Sequence, residues 1–462
     1  MSADVAAADT AVIKALKRIR TPQKQRNREF WLLLFAVLIA GASLTLVQLG
    51  ALGTIDPMIL AIGGGLAVLA FALHIVLRIV ASDADPFVLP IATLLSGLGI
   101  AMIYRIDIAF GFTGWQAYST KQLVWTAISL AGAIAAVIAL RNYRVLFRYT
   151  YIFGLAGIVL LLLPFVPGLR IEDAGAAVWV SLGGVFAFQP GELAKICLAI
   201  FFAGYLVRTR ESLTSVGTRF LGMTWPRMRE LGPVLVVWLI SLGIIVLQRD
   251  LGTGTLIFGM FVAMLYVATG KTSWVVIGLT LVVAGVALAT QILSYVRGRF
   301  INWLFLFDPN QVDPENAGYQ PMQGLFGLAH GGLIGTGWGQ GRPYITPLAH
   351  SDYIITSLGE EIGLIGLFAI LCLYMVFVSR GVRIGLAGQD DFGKLLALGF
   401  SFTIALQVFI MFGGVTRLIP LTGLTTPFLA AGGSSLVANW LIVALLLRIS
   451  DGVRRQPRVV IG

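Results

Sequence analysis

The chain has 462 residues, of which 58% are hydrophobic and only 12% are charged, and its formal net charge is +11. A soluble protein of this size needs many more polar and charged residues to cover its surface. The composition, together with a mean hydropathy of +0.89, therefore excludes a soluble enzyme. It also excludes a nucleic-acid-binding role for the positive charge, because no soluble basic face is available. We predict an all-α polytopic membrane protein.

Twelve segments are long and apolar enough to cross a membrane. A spanning helix needs roughly 20 mostly apolar residues, because lipid offers its backbone no hydrogen-bond partner. The predicted spans lie at 30–50, 57–80, 86–104, 121–140, 149–165, 189–207, 231–248, 253–269, 273–293, 353–378, 393–414 and 427–449. A basic segment, residues 1–29, precedes them and is predicted to be a flexible or interfacial cytoplasmic segment.

The positive charges predict the orientation, since cytoplasmic loops carry the excess of Lys and Arg. With the N-terminus inside, 24 of the 33 Lys and Arg lie in cytoplasmic segments, eight lie outside and Lys195 lies within a span. Both termini are therefore predicted to be cytoplasmic, and the loop before the tenth span to be extracytoplasmic.

Polar residues are concentrated in this loop, at 308–352, in the sequences FDPNQVDPENAGYQ and GGLIGTGWGQGRPYITPLAHSD. Asp308 and Asp313 each precede a proline, a pattern typical of turns. A carboxylate at the rim of an apolar cavity, however, has its pKa raised by desolvation and suits general-base work on a hydroxyl. The residues alone leave turn formation and catalysis open.

Other polar groups belong to the same predicted rim. His350 and Asp352 precede the tenth span, and Glu360 and Glu361 begin it. Such a cluster suits a substrate whose head lies in water and whose tail lies in lipid.

Ionisable residues at or within spans are functional candidates, because they are costly to place in lipid. Glu192 and Lys195 share a helical face and either form a structural ion pair or line a polar cavity. Asp250 is an N-cap candidate for the following span and a candidate cavity residue. Arg105 and Asp107 end the third span, where they could meet an anionic head group, but we favour solvated flanking charges.

Several apparent motifs fail. The sequence GKTS at 270–273 resembles a phosphate loop, but Leu265 stands where the first glycine is required. The glycines at 335, 337, 339 and 341 open no Rossmann unit and are expected to allow tight turns or close approach of the backbone to a ligand. Cys197 and Cys372 have neither disulfide nor metal-site spacing. His74 stands alone on an apolar span, and the other two histidines lack zincin spacing.

Five ordered segments carry a family resemblance. They are WVSLGGVFAFQPGELAK, LQRDLGTGT, DPENAGYQ with GGLIGTGWGQG, HSDYIITSLGEEIGLIG, and IPLTGLTTPFLAAGGSSL. Across roughly residues 85–448 the chain resembles the SEDS family, the FtsW/RodA/SpoVE glycosyltransferases that polymerise lipid II into peptidoglycan.

The resemblance implies a SEDS-type helical bundle. Its ten-helix core would occupy 85–449, with the extracytoplasmic loop 294–352 between the ninth and tenth of all twelve helices. Two additional helices would lie within 30–84, and 450–462 would form a cytoplasmic tail. The additional helices resemble the actinobacterial branch of the family, and the short tails resemble its RodA-type members.

The resemblance also implies roles for individual residues. Asp313, which precedes the Pro and Gly-Tyr-Gln of the outer loop, corresponds to the essential catalytic residue and is predicted to be the general base. Further residues are predicted to bind substrate or line the cavity: Glu192, Lys195, Asp250, Tyr319, Gln320, His350, Asp352 and Glu361.

Two departures limit this transfer. Glu315 and Asn316 stand where many members read Leu-Gly or Phe-Gly, so the loop geometry of those members is not carried over, whereas the role of Asp313 is. Ala177 and Val178 replace a basic pair found in many members before Trp179, so no substrate contact by that pair is carried over.

The implied reaction needs stabilisation of a pyrophosphate leaving group. A divalent cation such as Mg²⁺ or Mn²⁺ could supply it, or an outer arginine such as Arg297, Arg299 or Arg342; the sequence does not choose. No other cofactor is expected.

The predicted partners are lipid II, the nascent glycan strand, a class B penicillin-binding protein and other elongasome or divisome proteins of the bacterial cytoplasmic membrane. By family correspondence, spans 353–378 and 393–414 would contact the penicillin-binding protein. Two alternative functions are a lipid II flippase and a non-catalytic scaffold.

Overall fold

The structure, a computed structural model, describes residues 22–173, 176–182, 186–213, 219–220, 223–226, 228–308 and 318–455. Fifteen α-helices occur in these residues: α1 Pro22–Leu52, α2 Pro57–Val80, α3 Val88–Phe110, α4 Tyr118–Ala139, α5 Val145–Arg148, α6 Thr150–Leu162, α7 Pro190–Leu213, α8 Gly232–Gln248, α9 Leu251–Thr269, α10 Ser273–Ile292, α11 Ser294–Leu304, α12 Tyr319–Gly331, α13 Ile354–Ala387, α14 Asp391–Val415 and α15 Gly433–Arg455.

The prediction of a helical polytopic membrane protein is confirmed. Within the described residues, ten helices are long and apolar enough to span a membrane, namely α1–α4, α7, α9, α10, α13, α14 and α15. The shorter apolar helices α6 and α8 lie at the other two predicted spans. Helix α1 begins at Pro22, eight residues before the predicted start of the first span.

Short strands add to the helical architecture and were not predicted. In the loop before α7, β1 Arg170–Asp173, β2 Ala176–Leu182 and β3 Phe186–Phe188 form an antiparallel sheet in the order β1-β2-β3. Ser181 pairs with Ala187. Two further short strands, β4 Arg219–Phe220 and β5 Met223–Thr224, pair with each other after α7. Four of these strands have only two to four residues, too few for alternation to show, and the seven-residue β2 reads AAVWVSL, which does not alternate apolar and polar residues.

The core of the bundle consists of α3, α7, α9, α14 and α15, whose spanning windows are mostly buried, whereas α1, α2, α10 and α13 expose most of theirs. Small residues allow close helix contacts, as is usual in membranes. A Cβ atom on Gly204 of α7 would lie 2.1 Å from Thr150 Oγ1 of α6, and one on Gly381 of α13 would lie 2.1 Å from Ser401 Oγ of α14.

Helix α13 is interrupted at Gly363, whose φ of 69° and ψ of −178° are not helical. The segment 332–337 runs beside the break and pairs with it. Thr336 N and Gly337 N donate to the carbonyls of Glu360 and Glu361, at 3.0 and 2.9 Å. In return, the amides of residues 364 and 365 donate to the carbonyls of residues 332 and 333. The backbone groups that the break frees are thereby satisfied.

The additional helices α1 and α2 are joined by a buried charged cluster. Arg26 Nη1 donates to Glu29 Oε2 at 2.7 Å, and His74 Nδ1 lies 2.7 Å from Glu29 Oε1. All three side chains are almost fully buried, and Arg26 also donates to the carbonyl of Ala84. The interpretation of His74 as a histidine without a partner was therefore wrong, because its partner is 45 residues away on another helix.

The same end of the bundle connects α1 to the core. Asp85 accepts hydrogen bonds from Arg380 of α13 at 2.6 Å and from Arg454 of α15 at 2.7 Å. Arg454 also donates to Gln25 Oε1 at 2.8 Å. The first helix therefore begins, and the last helix ends, on the same side of the bundle.

We expect Glu29→Ala to destabilise the protein strongly, because it leaves Arg26 buried without its counter-charge. Removal of one partner of a buried ion pair costs about 3–5 kcal/mol, measurable as the free energy of unfolding in mixed detergent micelles. The control is Asp391→Ala, which removes the half-exposed pair Asp391–Arg210 and should cost no more than about 1 kcal/mol. Equal effects of the two substitutions would contradict this account of the cluster.

We expect Gly363→Ala to detach the 332–337 segment from α13. Its Cβ would lie 2.3 Å from Gly335 N, and a non-glycine residue at this φ adds strain of about 1–3 kcal/mol. Hydrogen exchange at the amides of residues 336 and 337 should accelerate. Gly132→Ala in α4, where a Cβ meets nothing within 4 Å, should leave their exchange unchanged. Unchanged exchange in the Gly363 variant would refute the pairing.

Candidate functional site

The sequence-predicted catalytic residue, Asp313, lies outside the described residues. The described chain ends at Asp308 on one side and resumes at Gly318 on the other, directly before α12. The site can therefore be built from the residues around these two ends.

A cavity of about 380 Å³ lies at this position, between α11, α12, the segment before α13 and the segment after α14. Two predicted site residues, Gln320 and Asp352, line it. Tyr319, the first residue of α12, is partly buried but is not a lining residue. The remaining lining residues include Arg299, Asn302, Trp303, Leu306, Pro321, Leu325, Leu348, Tyr353, Arg417, Leu421 and Gly423.

Two arginines give this cavity a positive wall. Arg299 Nη1 donates to the carbonyl of Leu421 at 3.2 Å. Arg417 Nε donates to the carbonyl of Trp303 at 2.9 Å, and its own carbonyl accepts from the Trp303 indole at 3.0 Å. These bonds to backbone carbonyls hold both guanidinium groups without neutralising them, so the wall is suited to an anionic ligand.

Of the three outer arginines that the sequence singled out, only Arg299 lines this cavity. Arg297 donates to the carbonyls of Thr290 and Gln291 at the end of α10, and Arg342 lines a different cavity. Arg417 was not singled out. The sequence pointed to it only by its position, two residues before the segment IPLTGLTTPF and two residues after the end of α14.

The acidic groups of the site interact with Arg299. Burial raises the pKa of the Asp352 carboxyl to about 6, against the opposing effect of Arg299. Burial also raises the pKa of Asp250, which Arg299 opposes and Glu192 reinforces. Asp250 is the N-cap of α9, since its carboxylate accepts from Thr253 N at 2.9 Å. It therefore has the predicted capping role and lies in the electrostatic field of the site.

His350 lies beside the site in a fixed orientation. Its ring stacks on Tyr118 with the ring centroids 3.8 Å apart, and its carbonyl accepts from Ala431 N at 2.8 Å. Burial lowers the pKa of His350 to about 4, and Lys121 acts in the same direction. The imidazole is therefore neutral at pH 7.

Glu192 and Lys195 form a buried ion pair with a distance of 2.5 Å between Lys195 Nζ and Glu192 Oε2. Lys195 Nζ also lies 3.3 Å from Gln407 Oε1 of α14 and 3.4 Å from Asn439 Oδ1 of α15. The arrangement matches the structural alternative, in which the pair holds helices together. Neither residue lines the cavity beside α11 and α12.

Glu361 lies behind the glycine-rich segment, residues 332–341, and not at the rim of the cavity that Asp352 lines. Its Oε1 accepts from Arg105 Nε at 2.9 Å, and its Oε2 accepts from Gly339 N at 2.9 Å. Arg105 also donates to the carbonyl of Gly341 at 2.7 Å. Both carboxylate oxygens are engaged in holding this segment, and Glu361 lines neither the cavity with Asp352 nor the one with Arg342; its contact with substrate stays a prediction.

Our preference for solvated charges at the end of α3 was wrong. Arg105 and Asp107 are both buried, and Asp107 accepts from Tyr118 N and Ser119 N at 2.9 and 2.6 Å, at the start of α4. Both residues pair with groups distant in sequence, so a local pattern could not reveal their partners.

A second polar cavity, of about 480 Å³, adjoins the glycine-rich segment. Arg342, Gln340, Glu360 and the largely exposed His330 line it. His330 Nδ1 lies 3.0 Å from Glu360 Oε1, which also accepts from Arg342 N at 2.8 Å. Glu360 thus belongs to this cavity and not to the one that Asp352 lines.

Metal binding by the site stays a prediction. In the part of the chain that the structure describes, no group of three or more His, Cys, Asp or Glu side chains could hold a metal ion. The positive charge present at the site is that of Arg299 and Arg417.

The raised pKa of Asp352 predicts a pH-dependent stability. The folded protein holds this proton up to about pH 6, whereas the unfolded chain releases it near 3.8. The stability contributed by the proton is therefore complete below pH 3.8 and is lost as the pH rises through 6. Asp352→Asn should raise the thermal midpoint increasingly between pH 4 and pH 6, and by a constant amount above pH 6. A pH-independent difference would rule out the shift.

Comparison with known proteins identifies relatives over most of the chain. Residues 85–455 match the family model of the FtsW/RodA/SpoVE cell cycle proteins. The chain is 45% identical over 437 residues to a protein of Mycobacterium tuberculosis named peptidoglycan glycosyltransferase RodA, covering 94% of this chain and 92% of the relative. It is 32% identical over 379 residues to a probable peptidoglycan glycosyltransferase FtsW of Geobacter metallireducens, covering 81% and 96% of the two chains.

The fold is also known. A chain from a structure described as a peptidoglycan synthase complex that coordinates polymerization and crosslinking superimposes with a TM-score of 0.63. The identity is 22%, and the match covers 81% of this chain and 99% of the other. The family match begins at residue 85, after α1 and α2. From the sequence match and the fold together, the chain belongs to the FtsW/RodA/SpoVE family.

Proposed function

We propose that this protein is a peptidoglycan glycosyltransferase that polymerises lipid II at the outer face of the cytoplasmic membrane, with Asp313 as general base. The observation that carries the proposal is the cavity between α11 and α12, which combines two arginines with a carboxyl of raised pKa, beside apolar spanning helices. A substrate with an anionic head and a lipid tail matches this combination. The names of the relatives support the same chemistry.

The orientation follows from the two ends of the bundle. The N-terminus of α1 and the C-terminus of α15 lie together, and the basic segments flank them. By the positive-inside rule this end is cytoplasmic, so both termini are cytoplasmic and the arginine cavity opens toward the outside. Asp313 is five residues from Gly318 in the sequence.

In the proposed reaction Asp313 removes the proton from the 4-hydroxyl of the acceptor sugar. The hydroxyl oxygen forms a bond to the anomeric carbon of the donor strand, and the bond from that carbon to the pyrophosphate breaks. The departing oxygen gains negative charge, which Arg299 and Arg417 stabilise. A divalent cation could share this role.

A class B penicillin-binding protein is the proposed partner, as the sequence predicted. Helix α13 carries exposed apolar side chains suited to another membrane helix, including Leu364, Ile365, Phe368 and Met375, and α14 adds Phe409. The structural neighbour's description as a peptidoglycan synthase complex supports such an assembly. The greater identity to the RodA relative than to the FtsW relative favours a role in elongation.

We expect Asp313→Ala to reduce glycan polymerisation by at least about 100-fold, the lower end of the contribution of a general base. Purified protein, with and without a class B penicillin-binding protein, would receive labelled lipid II, and glycan strands would be resolved by gel electrophoresis. Asp308→Ala is the matched control, because it alters the other Asp-Pro pair of the same loop and should retain activity.

Glycan strands from the Asp313 variant in wild-type amounts would overturn the catalytic assignment. An absence of strands from the wild-type protein even with its partner would favour the two alternatives, a flippase or a scaffold. A lipid II translocation assay in proteoliposomes would then distinguish these two.

A further inference from the structure

The additional helices α1 and α2 form part of the wall of an apolar cleft of about 360 Å³. None of its lining residues has a role in the proposed reaction. Its walls come from α1, α2, α3 and α4, and Trp440 of α15 contributes to it. The cleft reaches from exposed residues such as Leu38 and Gly64 to buried ones such as Leu130 and Trp440. It therefore leads from the lipid-facing surface into the bundle.

Glycines create much of this space without a packing reason. Gly41 of α1 and Gly64 of α2 line the cleft, and a Cβ on either would meet nothing within 4 Å. Neither residue has a positive φ. Glycine within a helix costs roughly 0.5–1 kcal/mol relative to alanine. By contrast, Gly97 of α3 is required by packing, since its Cβ would lie 2.3 Å from the Cβ of Ala40.

One end of the cleft adjoins the outer loop. Leu44 and Leu60 line the cleft and belong to the hydrophobic cluster that includes Trp338 of the glycine-rich segment. Gln340 Nε2 donates to the carbonyl of Gly50, near the end of α1, at 2.8 Å. Gln340 also lines the polar cavity that contains Arg342 and His330. An apolar cleft and a polar cavity thus adjoin the same turn.

We propose that this cleft holds the polyprenyl chain of one of the two lipid-linked substrates. The assignment rests on the proposed function, which requires two such chains to be held at once. The apolar walls match a hydrocarbon chain, and the glycines provide width for its methyl branches.

Other occupants fit less well. A transmembrane helix with its side chains is about 10–12 Å wide, and a cleft with walls on four helices leaves no room for it. A saturated phospholipid chain has no methyl branches and does not need this width. The head group of the polyprenyl lipid would lie near Gln340, beside Arg342, and the chain would continue between α1 and α2.

The test uses the full-length protein in vesicles of dioleoylphosphatidylglycerol and dioleoylphosphatidylethanolamine. A polyprenyl phosphate with a photoreactive group in its chain should label peptides that contain residues 37–44 or 60–67. An excess of unlabelled polyprenyl phosphate should suppress the labelling, and a dipalmitoyl phosphatidic acid of equal concentration should not.

Gly64→Leu and, independently, Gly41→Leu should reduce this labelling roughly tenfold, because the added side chain occupies the cleft. Gly65→Leu is the matched control: a Cβ there also meets nothing within 4 Å, but Gly65 does not line the cleft. It should label like the wild type. Because all three positions accept a Cβ, misfolding is not expected, and the thermal midpoint of each variant would check this.

Several results would overturn the assignment: labelling absent from these peptides, equal suppression by the saturated lipid, or equal effects at Gly64 and Gly65. Labelling needs no turnover, so Asp313→Ala should label like the wild type. Polymerisation without cleft labelling would therefore refute the cleft alone. Cleft labelling without polymerisation would refute the proposed function alone.

Discussion

The backbone pairing between the interrupted helix α13 and the segment 332–337 holds together the end of the bundle at which both candidate cavities lie. Lipid and a packed protein interior offer no water to backbone groups, so a helix can break there only if other protein atoms replace its lost hydrogen bonds. The carbonyls of Glu360 and Glu361 and the amides of residues 364 and 365 find those partners in the glycine-rich segment. The ion pair of Arg105 and Glu361 joins the same segment to α3.

This arrangement separates two kinds of charged residue that look alike in sequence. Glu361, Arg105 and Asp107 have their charges fully engaged by backbone groups and by each other, and so they hold the structure together. Arg299 and Arg417 are held by backbone carbonyls, which carry no net charge, and the carboxyls of Asp352 and Asp250 offset the charge of Arg299 only in part. A chemistry that produces an anion at the membrane surface needs the second kind, because a neutralised charge cannot stabilise a leaving group.

The additional helices α1 and α2 are part of the folded unit, although the family match begins after them. At one end Arg26, Glu29 and His74 form a buried cluster, and Arg454 of the last helix reaches Gln25. At the other end Gly50 accepts a hydrogen bond from Gln340 of the outer loop. Between these two attachments the helices diverge and leave an apolar cleft, so they extend the lipid-facing surface of the catalytic core instead of only anchoring it.

The sequence by itself predicted where the apolar helices lie, because hydrophobicity is a local property: ten of the twelve predicted spans coincide with helices long enough to cross a membrane, and the other two coincide with shorter apolar helices. Its ordered motifs also identified the family. It predicted Asp250 as an N-cap, since capping is a local interaction. Only the tertiary structure decided which charges are structural. Arg105 meets Glu361 across 256 residues and His74 meets Glu29 across 45, and such pairings depend on how helices pack, which no local pattern encodes. Helix packing also decided that Gln320 and Asp352 share a cavity with Arg299 and Arg417. It decided as well that Glu361 lies outside this cavity.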